Sequence, residues 1–345
     1  MKDKISFIAY LQTSTNEIEK ELKKTSVLRS TSSENGFPEV EMLQNRFTDA
    51  WFGGKMLRGT LVKLGYELVK KPQAAIFKPA CAFEILHTAL LIHDDIIDKS
   101  LTRRGKSALH VHKIPHYGIS QAICLGDIGI SLAGQIIAEA EFPSERKNKA
   151  IQYFFEMVTK TITGEMMDIT SAHTGNRNDE QIIQIHKLKT ANYTIVGPLT
   201  MGALLAGASQ EYIKMLENFA QPLGIAYQIL DDILGIFGDE KKLGKSTTSD
   251  IEENKSTLLI THALHHAQEK QQKVLRRYYG EKGITKKKQE EIKQILIQTG
   301  ALTYSQNVVT NLTSKAKKYI PELSKNEEKR VLLTQLCDFL LERNL

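Results

Sequence analysis

ACAFEILHTALLIHDDIID (80–98) and YQILDDILGIFGDE (227–240) are the two stretches on which the fold turns. Each is a run of apolar side chains leading into a pair of aspartates, with apolar residues three and four apart, the period of a helix. The first is apolar nearly all round, which predicts a helix at the centre of a bundle rather than on its rim. The same reading applies to ISQAICLGDIGISLAGQIIAEA (119–140). Helical periods recur in TLVKLGYELV (60–69), IQYFFEMVTKTITGEMMDI (151–169), EYIKMLENFAQPLGIAYQILDDIL (211–234) and KSTLLITHALHHAQ (255–268). The alternation and tight turns of a sheet are scarce, so the expected class is all-α. Glycines and prolines at 115–118, 174–175, 197–198 and 235–244 mark the expected breaks, and Pro222 a kink or helix join.

A chain of 345 residues is long enough for one large helical domain or two ordinary ones. Its 41% hydrophobic and 25% charged residues are those of a folded globular protein. LRSTSSENGFPE (28–39) is polar and carries Gly36 and Pro38, which sets residues 1–40 apart as a looser segment before a main body at 41–345. Cys81, Cys124 and Cys337 lie far apart among apolar neighbours and read as buried thiols in a reducing, cytoplasmic setting. No signal peptide fits the N-terminus. The stretch 119–140 holds Asp127 and Gln135, and the expectation is that it falls short of a membrane span. The net charge of +6 comes largely from KKLGK (241–245) and from KVLRRYYGEKGITKKKQEEIKQ (273–294), where acids are interleaved. No basic stripe accompanies a nucleic-acid reading element, so a nucleic-acid partner is excluded and a small anionic substrate is not.

The acids carry the chemistry. Asp94 and Asp98 are four apart and share a helix face, with Asp95 beside it. Asp231 and Asp232 end the second helix, with Gln228 one turn earlier and Asp239 in the loop beyond. Carboxylates at the end of an apolar helix are costly to ionise without compensation, and a divalent cation supplies it. If the two helices face each other across a bundle core, their oxygens form the donor set that magnesium prefers. Either pair alone also reads as a solvated acid cluster; two of them in the same apolar context favour the metal. Neither has the spacing of an EF-hand loop.

Basic residues bracket these acids. WFGGKMLRG (51–59) offers Lys55 and Arg58, LTRRGKSALH (101–110) offers Arg103 and Arg104, and HKLKTANY (186–193) offers Lys189; Lys245 and Lys255 follow the second acids. Arginine forks and lysine charges are the usual grip on phosphoryl oxygens. Taken singly, the lysines read as surface charge and the two arginines as partners of Asp95 or Asp98. Together they imply one diphosphate bridged by magnesium and a second held by bases alone.

GGKMLRG, HTALLIHDDIIDKSLTRRGK, GEMMDI, KLKTANY and YQILDDILGIFGDEKKLGKSTTSDIEENK stand in the order found in trans-type isoprenyl diphosphate synthases. From about residue 45 to about 270 the chain resembles this polyprenyl synthetase family, which includes the farnesyl and geranylgeranyl diphosphate synthases. The resemblance implies a single all-α bundle of the isoprenoid synthase type around a central cavity, usually a homodimer. It implies that Asp94, Asp98 and Asp231 bind magnesium, three ions with the allylic diphosphate. Asp95, Asp168, Asp232 and Asp239 would stand behind these ligands. Arg103, Lys189, Thr190, Gln228, Lys245 and Lys255 would contact the allylic substrate, and Lys55, Arg58, His87 and Arg104 the isopentenyl diphosphate.

His87 is on periodicity a core histidine, but it lies two turns before Asp94 on the same face and the family often binds diphosphate there. His93 is left structural, and His110, His112 and His116 lack the spacing of a zinc site. Three departures stand out. The third aspartate of the second motif is Gly235, for which Asp239 is the expected partial substitute; Glu165 replaces a common glutamine while Asp168 is kept; and the ending LERNL lacks the basic tail of some members.

The implied reaction is head-to-tail prenyl transfer through an allylic cation, with the proton leaving to the released diphosphate. Ala89 and Leu90, just before Asp94, stand where farnesyl-producing relatives place an aromatic floor. Five residues of helix rise about 7.5 Å, so an open floor admits a further isoprene unit, with Phe83, Leu86 and residues of 119–140 closing the cavity. The expected product is geranylgeranyl diphosphate, the alternatives farnesyl or longer products. A terpene cyclase needs no second diphosphate site, which Lys55, Arg58, His87 and Arg104 argue against. A noncatalytic partner subunit is suggested by Gly235 and opposed by the intact first aspartates.

Overall fold

The computed structural model of the chain describes residues 6–25, 37–175, 178–239 and 247–341. In chain order the first helices are α1 (Phe7–Leu22), α2 (Pro38–Asp49), α3 (Leu57–Val69) and α4 (Phe77–Ile97), which a short 3-10 turn, Ala74–Ile76, leads into. A hairpin of β1 (Thr102–Arg103) and β2 (Lys106–Ser107) precedes α5 (Pro115–Ala138) and α6 (Ser144–Thr174). Then come α7 (Asp179–Ile185), a π-helix His186–Val196, α8 (Gly197–Ala206) and α9 (Gln210–Phe237). The remainder is α10 (Ser249–Glu252), α11 (Leu258–His266), α12 (Glu269–Tyr278), α13 (Lys286–Gln298), α14 (Ala301–Lys317), α15 (Ile320–Leu323) and α16 (Glu327–Leu341). The all-helical expectation holds, and the hairpin is the one sheet among the described residues.

The chain divides into two compact units, Met1–Phe155 with Pro198–Ile213, and Glu156–Gly197 with Lys214–Leu345. In the first, α4 packs most extensively on α5, and α1 lies on α3 and α4. The polar N-terminal segment is thus not uniformly loose. Ser6 caps α1 by accepting from the Ala9 N–H, and Phe7, Leu11, Ile18 and Leu22 bury one stripe of that helix. Residues 28–36 of the polar stretch lie outside the described residues. Glycines let helices of this unit approach closely: a Cβ on Gly65 would stand 2.0 Å from the Leu199 carbonyl oxygen, and one on Gly202 2.0 Å from that of Val62.

The second unit has its core in residues such as Ile225, Ile229 and Ile233 of α9, with Ile251, Leu259, Ile292 and Leu296. Polar side chains start its helices: Asn178 accepts from Gln181 N–H, Thr257 from Ile260 N–H and Thr285 from Lys288 N–H.

Some expected breaks are absent. α9 runs unbroken through Pro222 and Gly235. A proline inside a helix costs roughly 3 kcal/mol, but Phe219, Leu223 and Ala226 are fully buried around it, and burying large apolar side chains contributes about 1.5–3 kcal/mol each. Gly197 and Pro198 mark a change from π- to α-helix rather than a gap, whereas α6 does stop at Thr174 before Gly175, whose φ is +65°. Pro115 opens α5, where its missing N–H costs nothing.

Three further readings are corrected. Cys124 is exposed on α5, while Cys81 and Cys337 are buried. α5 is not a wholly central helix either, since it leaves Ile123 and Asp127 outward. Residues 74–97 and 115–138 are both long and apolar enough to cross a membrane by length and composition, so a single aspartate at 127 does not disqualify the second. They are 67% and 50% buried in the chain's own core, as core helices are. Gly65→Val is expected to force α3 away from Leu199 and to lower stability by about 2 kcal/mol or more, measured by urea unfolding.

Candidate active site

In the first unit, α4 ends in Asp94, Asp95 and Asp98, and the hairpin follows at once. Arg104 and Gly105 form its two-residue turn, both with positive φ (51° and 73°), the backbone form that fits a tight hairpin. The turn sends adjacent arginines to different partners. Arg103 Nε donates to Asp95 Oδ1 at 2.8 Å, its Nη2 bonds the same oxygen, and Nη2 reaches Asp94 Oδ2 at 3.3 Å. Burial pushes the Asp95 carboxyl up, with Arg103 opposing. Asp95 is buried and committed to Arg103, while Asp94 and Asp98 are half-buried. Arg103 is therefore a partner of the acids, the alternative that the spacing left open.

Arg104 turns the other way, donating to the Phe52 carbonyl at 3.4 Å, with its guanidinium against Gly54. The loop beneath it enters α3 through Met56 at φ 47°, so Lys55 and Arg58 flank a left-handed residue. His87, on α4, is held well below its ordinary pKa by burial and then by Arg58, Arg104 and Arg103. It is a neutral imidazole beside guanidinium groups, a cationic set suited to an anion. The expected grouping of Arg58, His87 and Arg104 is present. Ala89 is fully buried and Leu90 half-buried. A Cβ on Gly129 of α5 would meet the Ala89 methyl at 2.7 Å and Phe47 Cζ at 2.8 Å. On that side Ala89 fronts α5 and an aromatic ring from α2, not open space.

In the second unit, Lys189 and Thr190 sit in the π-helix, a wound form common at functional sites. Glycines hold that segment close to its neighbours: a Cβ on Gly164 of α6 would lie 2.3 Å from Lys189 N, and one on Gly224 of α9 2.6 Å from the Ala191 Cβ. Lys189 Nζ lies 2.8 Å from Glu165 and 2.7 Å from Asp168. Thr190 donates to Gln228 Oε1 at 2.7 Å, and Gln228 Nε2 donates to Asp232 Oδ1 at 2.8 Å.

Asp232 is buried, with His186 at 3.0 Å and Lys255 at 3.2 Å. Burial opposes its charge, but Lys255 and His186 prevail and hold the carboxyl well below the usual range. Burial likewise opposes the Lys255 charge, and Asp250, Asp232, Asp168 and Asp231 keep it protonated well above its ordinary value. Asp231, next to Asp232, is half-buried.

Sequence reasoning missed Asp250 and His186. A Cβ on Gly235 would fall 2.1 Å from Asp250 Oδ2, so a carboxylate lies against the position of the missing third aspartate. It belongs to buried Asp250, whereas Asp239 is exposed. No local spacing signals this, because Asp250 lies 15 positions beyond Gly235 in the chain. His186 stood in a quoted motif, but its partner lies 46 positions away. Lys245 lies outside the described residues.

Among the described residues no three His, Cys, Asp or Glu side chains converge as a metal cage. Asp94 and Asp98 in the first unit and Asp231 in the second are half-buried carboxylates, oxygen donors of the kind magnesium takes.

The polyprenyl synthetase family profile matches residues 40–298. This chain belongs to the polyprenyl synthetase family. Over 294 residues it is 31% identical to the geranylgeranyl diphosphate synthase of Sulfolobus acidocaldarius, covering 84% of this chain and 87% of that one. It is 33% identical over 296 residues to that of Saccharolobus solfataricus, with the same coverage. Among solved structures, the geranylgeranyl pyrophosphate synthase of Corynebacterium glutamicum, complexed with isoprenyl diphosphate and magnesium, superposes with a TM-score of 0.88 at 26% identity, covering 98% of this chain and all of that one. The family fold is thus the all-helical isoprenoid synthase fold. Within this polyprenyl synthetase, Gly235→Ala is expected to displace Asp250 and cost about 1–3 kcal/mol. In urea unfolding, Asp250→Ala should cost less in the Gly235→Ala background than alone, because there it also relieves the clash while removing the same counter-charge from Lys255.

Proposed function

We propose that this chain is a trans-isoprenyl diphosphate synthase that joins an allylic diphosphate head to tail with isopentenyl diphosphate and makes geranylgeranyl diphosphate. The observation that carries the reading is in the first unit: a half-buried carboxylate face at Asp94 and Asp98, and separately a cationic set of Arg58, Arg104 and neutral His87. The first suits a metal-bridged diphosphate and the second a diphosphate without metal. A terpene cyclase has no use for the second. The carboxylate of Asp250 against Gly235 supports an active enzyme over a noncatalytic partner subunit.

Asp94, Asp98 and Asp231 would hold magnesium, three ions in the full complex, with Asp95, Asp168, Asp232 and Asp250 setting the charge behind them. Bound there, magnesium acts as a Lewis acid toward diphosphate oxygens. Arg103, Lys189, Thr190, Gln228, Lys245 and Lys255 would bind the allylic diphosphate and stabilise the charge that grows on it as the C–O bond breaks. Lys55, Arg58, His87 and Arg104 would hold isopentenyl diphosphate so that its double bond attacks the allylic cation. The proton lost from the new cation goes to the released diphosphate. Closure around the two diphosphates would keep water from quenching the cation. The relatives named geranylgeranyl diphosphate synthase support a twenty-carbon product.

The reading extends to a cytoplasmic homodimer. Free cysteines fit a reducing compartment. Phe155, Ile162, Met166 and Ile169 form an exposed apolar stripe on α6, at spacings of seven, four and three that share one face. A second copy is its expected cover. Ile162→Asp with Met166→Glu should convert a dimer to a monomer in sedimentation.

The decisive assay supplies purified protein with magnesium, labelled isopentenyl diphosphate and, in turn, dimethylallyl, geranyl and farnesyl diphosphate, and sizes the extracted products. A twenty-carbon product is expected; no incorporation with any primer overturns the reading. Asp94→Ala should lower turnover at least about 100-fold.

A further inference from the structure

Glu84 is an acid to which neither the sequence motifs nor the reaction assigns a part. It lies on α4 one turn before His87, is 6% exposed, and its Oε1 accepts a hydrogen bond of 2.7 Å from the Gly59 N–H. Gly59 is the third residue of α3, so this N–H is one of the donors that a helix start leaves without an internal acceptor. The residue before the helix, Met56, is left-handed and provides no side-chain cap. The cap therefore comes from a different helix. A second contact fixes the same turn: a Cβ on Gly59 would stand 2.9 Å from the Ala80 carbonyl oxygen and 2.8 Å from Ile18 Cδ1. α3 is thus seated on α4 at Ala80 and, one turn on, at Glu84, with His87 at the next turn.

The charges agree with this geometry. Burial pushes the Glu84 carboxyl up, and Arg58, the Gly59 N–H and Arg104 oppose it. Two of the guanidinium groups that act on His87, those of Arg58 and Arg104, also act on Glu84. An acid that caps a helix start fixes where that helix begins, and so where its first side chains point.

We infer that Glu84 is a positioning residue for isopentenyl diphosphate: it holds the first turn of α3, and through it Arg58 and the neighbouring Lys55, in register with His87 and Arg104. The inference rests on the proposed role of that cationic set. Because these groups grip a diphosphate that does not leave, they bind it alike before and during reaction, so loss of register appears in KM rather than kcat.

Glu84→Ala is expected to raise KM for isopentenyl diphosphate about tenfold, with kcat and the allylic KM within about threefold of the unaltered enzyme. Glu84→Gln keeps an acceptor oxygen for Gly59 and should stay within about threefold in all three. Glu84→Met, of similar shape without an acceptor, carries the test if the alanine variant does not fold. Calorimetric titration with isopentenyl diphosphate reads the same change as a Kd, with or without turnover. An unchanged KM and Kd for isopentenyl diphosphate in Glu84→Ala or Glu84→Met overturns the inference, as does an equal rise in both substrate KM values. An unaltered protein that fails to bind isopentenyl diphosphate overturns the proposed function as well.

Discussion

A carboxylate inside an apolar helical core stays ionised only if a cation is brought to it, and each unit of this protein is organised around meeting that demand. In the second unit Asp232 is buried on α9, and His186 from the π-helix and Lys255 from the segment after α10 both reach it. The Lys255 charge is not cheap to bury by itself. The three groups hold one another, and Gln228 and Thr190 extend the same network by hydrogen bonds. The result is a polar network beside Asp231, whose carboxylate is half-buried.

The first unit meets the demand differently. Arg103 from the hairpin turns back to Asp95 and Asp94, and Asp98 adds to the negative charge that favours its guanidinium. The charges of Arg58 and Arg104 likewise favour an ionised Glu84, against its burial. Small residues make these pairings possible. The hairpin needs a left-handed turn at Arg104 and Gly105 to send its arginines to opposite partners. Gly164 and Gly224 let the π-helix lie close enough to α6 and α9 for Lys189 and Thr190 to find their partners. Close backbone packing and charge pairing are one requirement here, because an ion pair in a core forms only where its helices cannot drift apart.

Much of the fold was legible. The apolar periods of 80–98, 151–169 and 211–234 predicted helices that the structure extends by a few residues at one or both ends. The failures share a cause. Gly197 and Gly235 read as breaks and Pro222 as a kink or join because local propensity disfavours helix there; α9 runs through Pro222 and Gly235, where burial outweighs that local cost. The exposed face of α5 was illegible for the opposite reason, since its outward residues include Ile123, as apolar as the inward ones.

What the sequence determined by itself was chemistry carried by local spacing: aspartates one turn apart at the ends of apolar helices, bases close behind them, and motifs in the order of the polyprenyl synthetase family. What only the tertiary structure decided was pairing between distant positions. Arg103 is committed to Asp95, Lys189 to Glu165 and Asp168, and the space at Gly235 belongs to Asp250, not Asp239. The physical reason is that helical periodicity fixes which residues share a face. Which foreign side chain meets that face depends on loop paths and on how closely helices pack, and neither leaves a period in the chain.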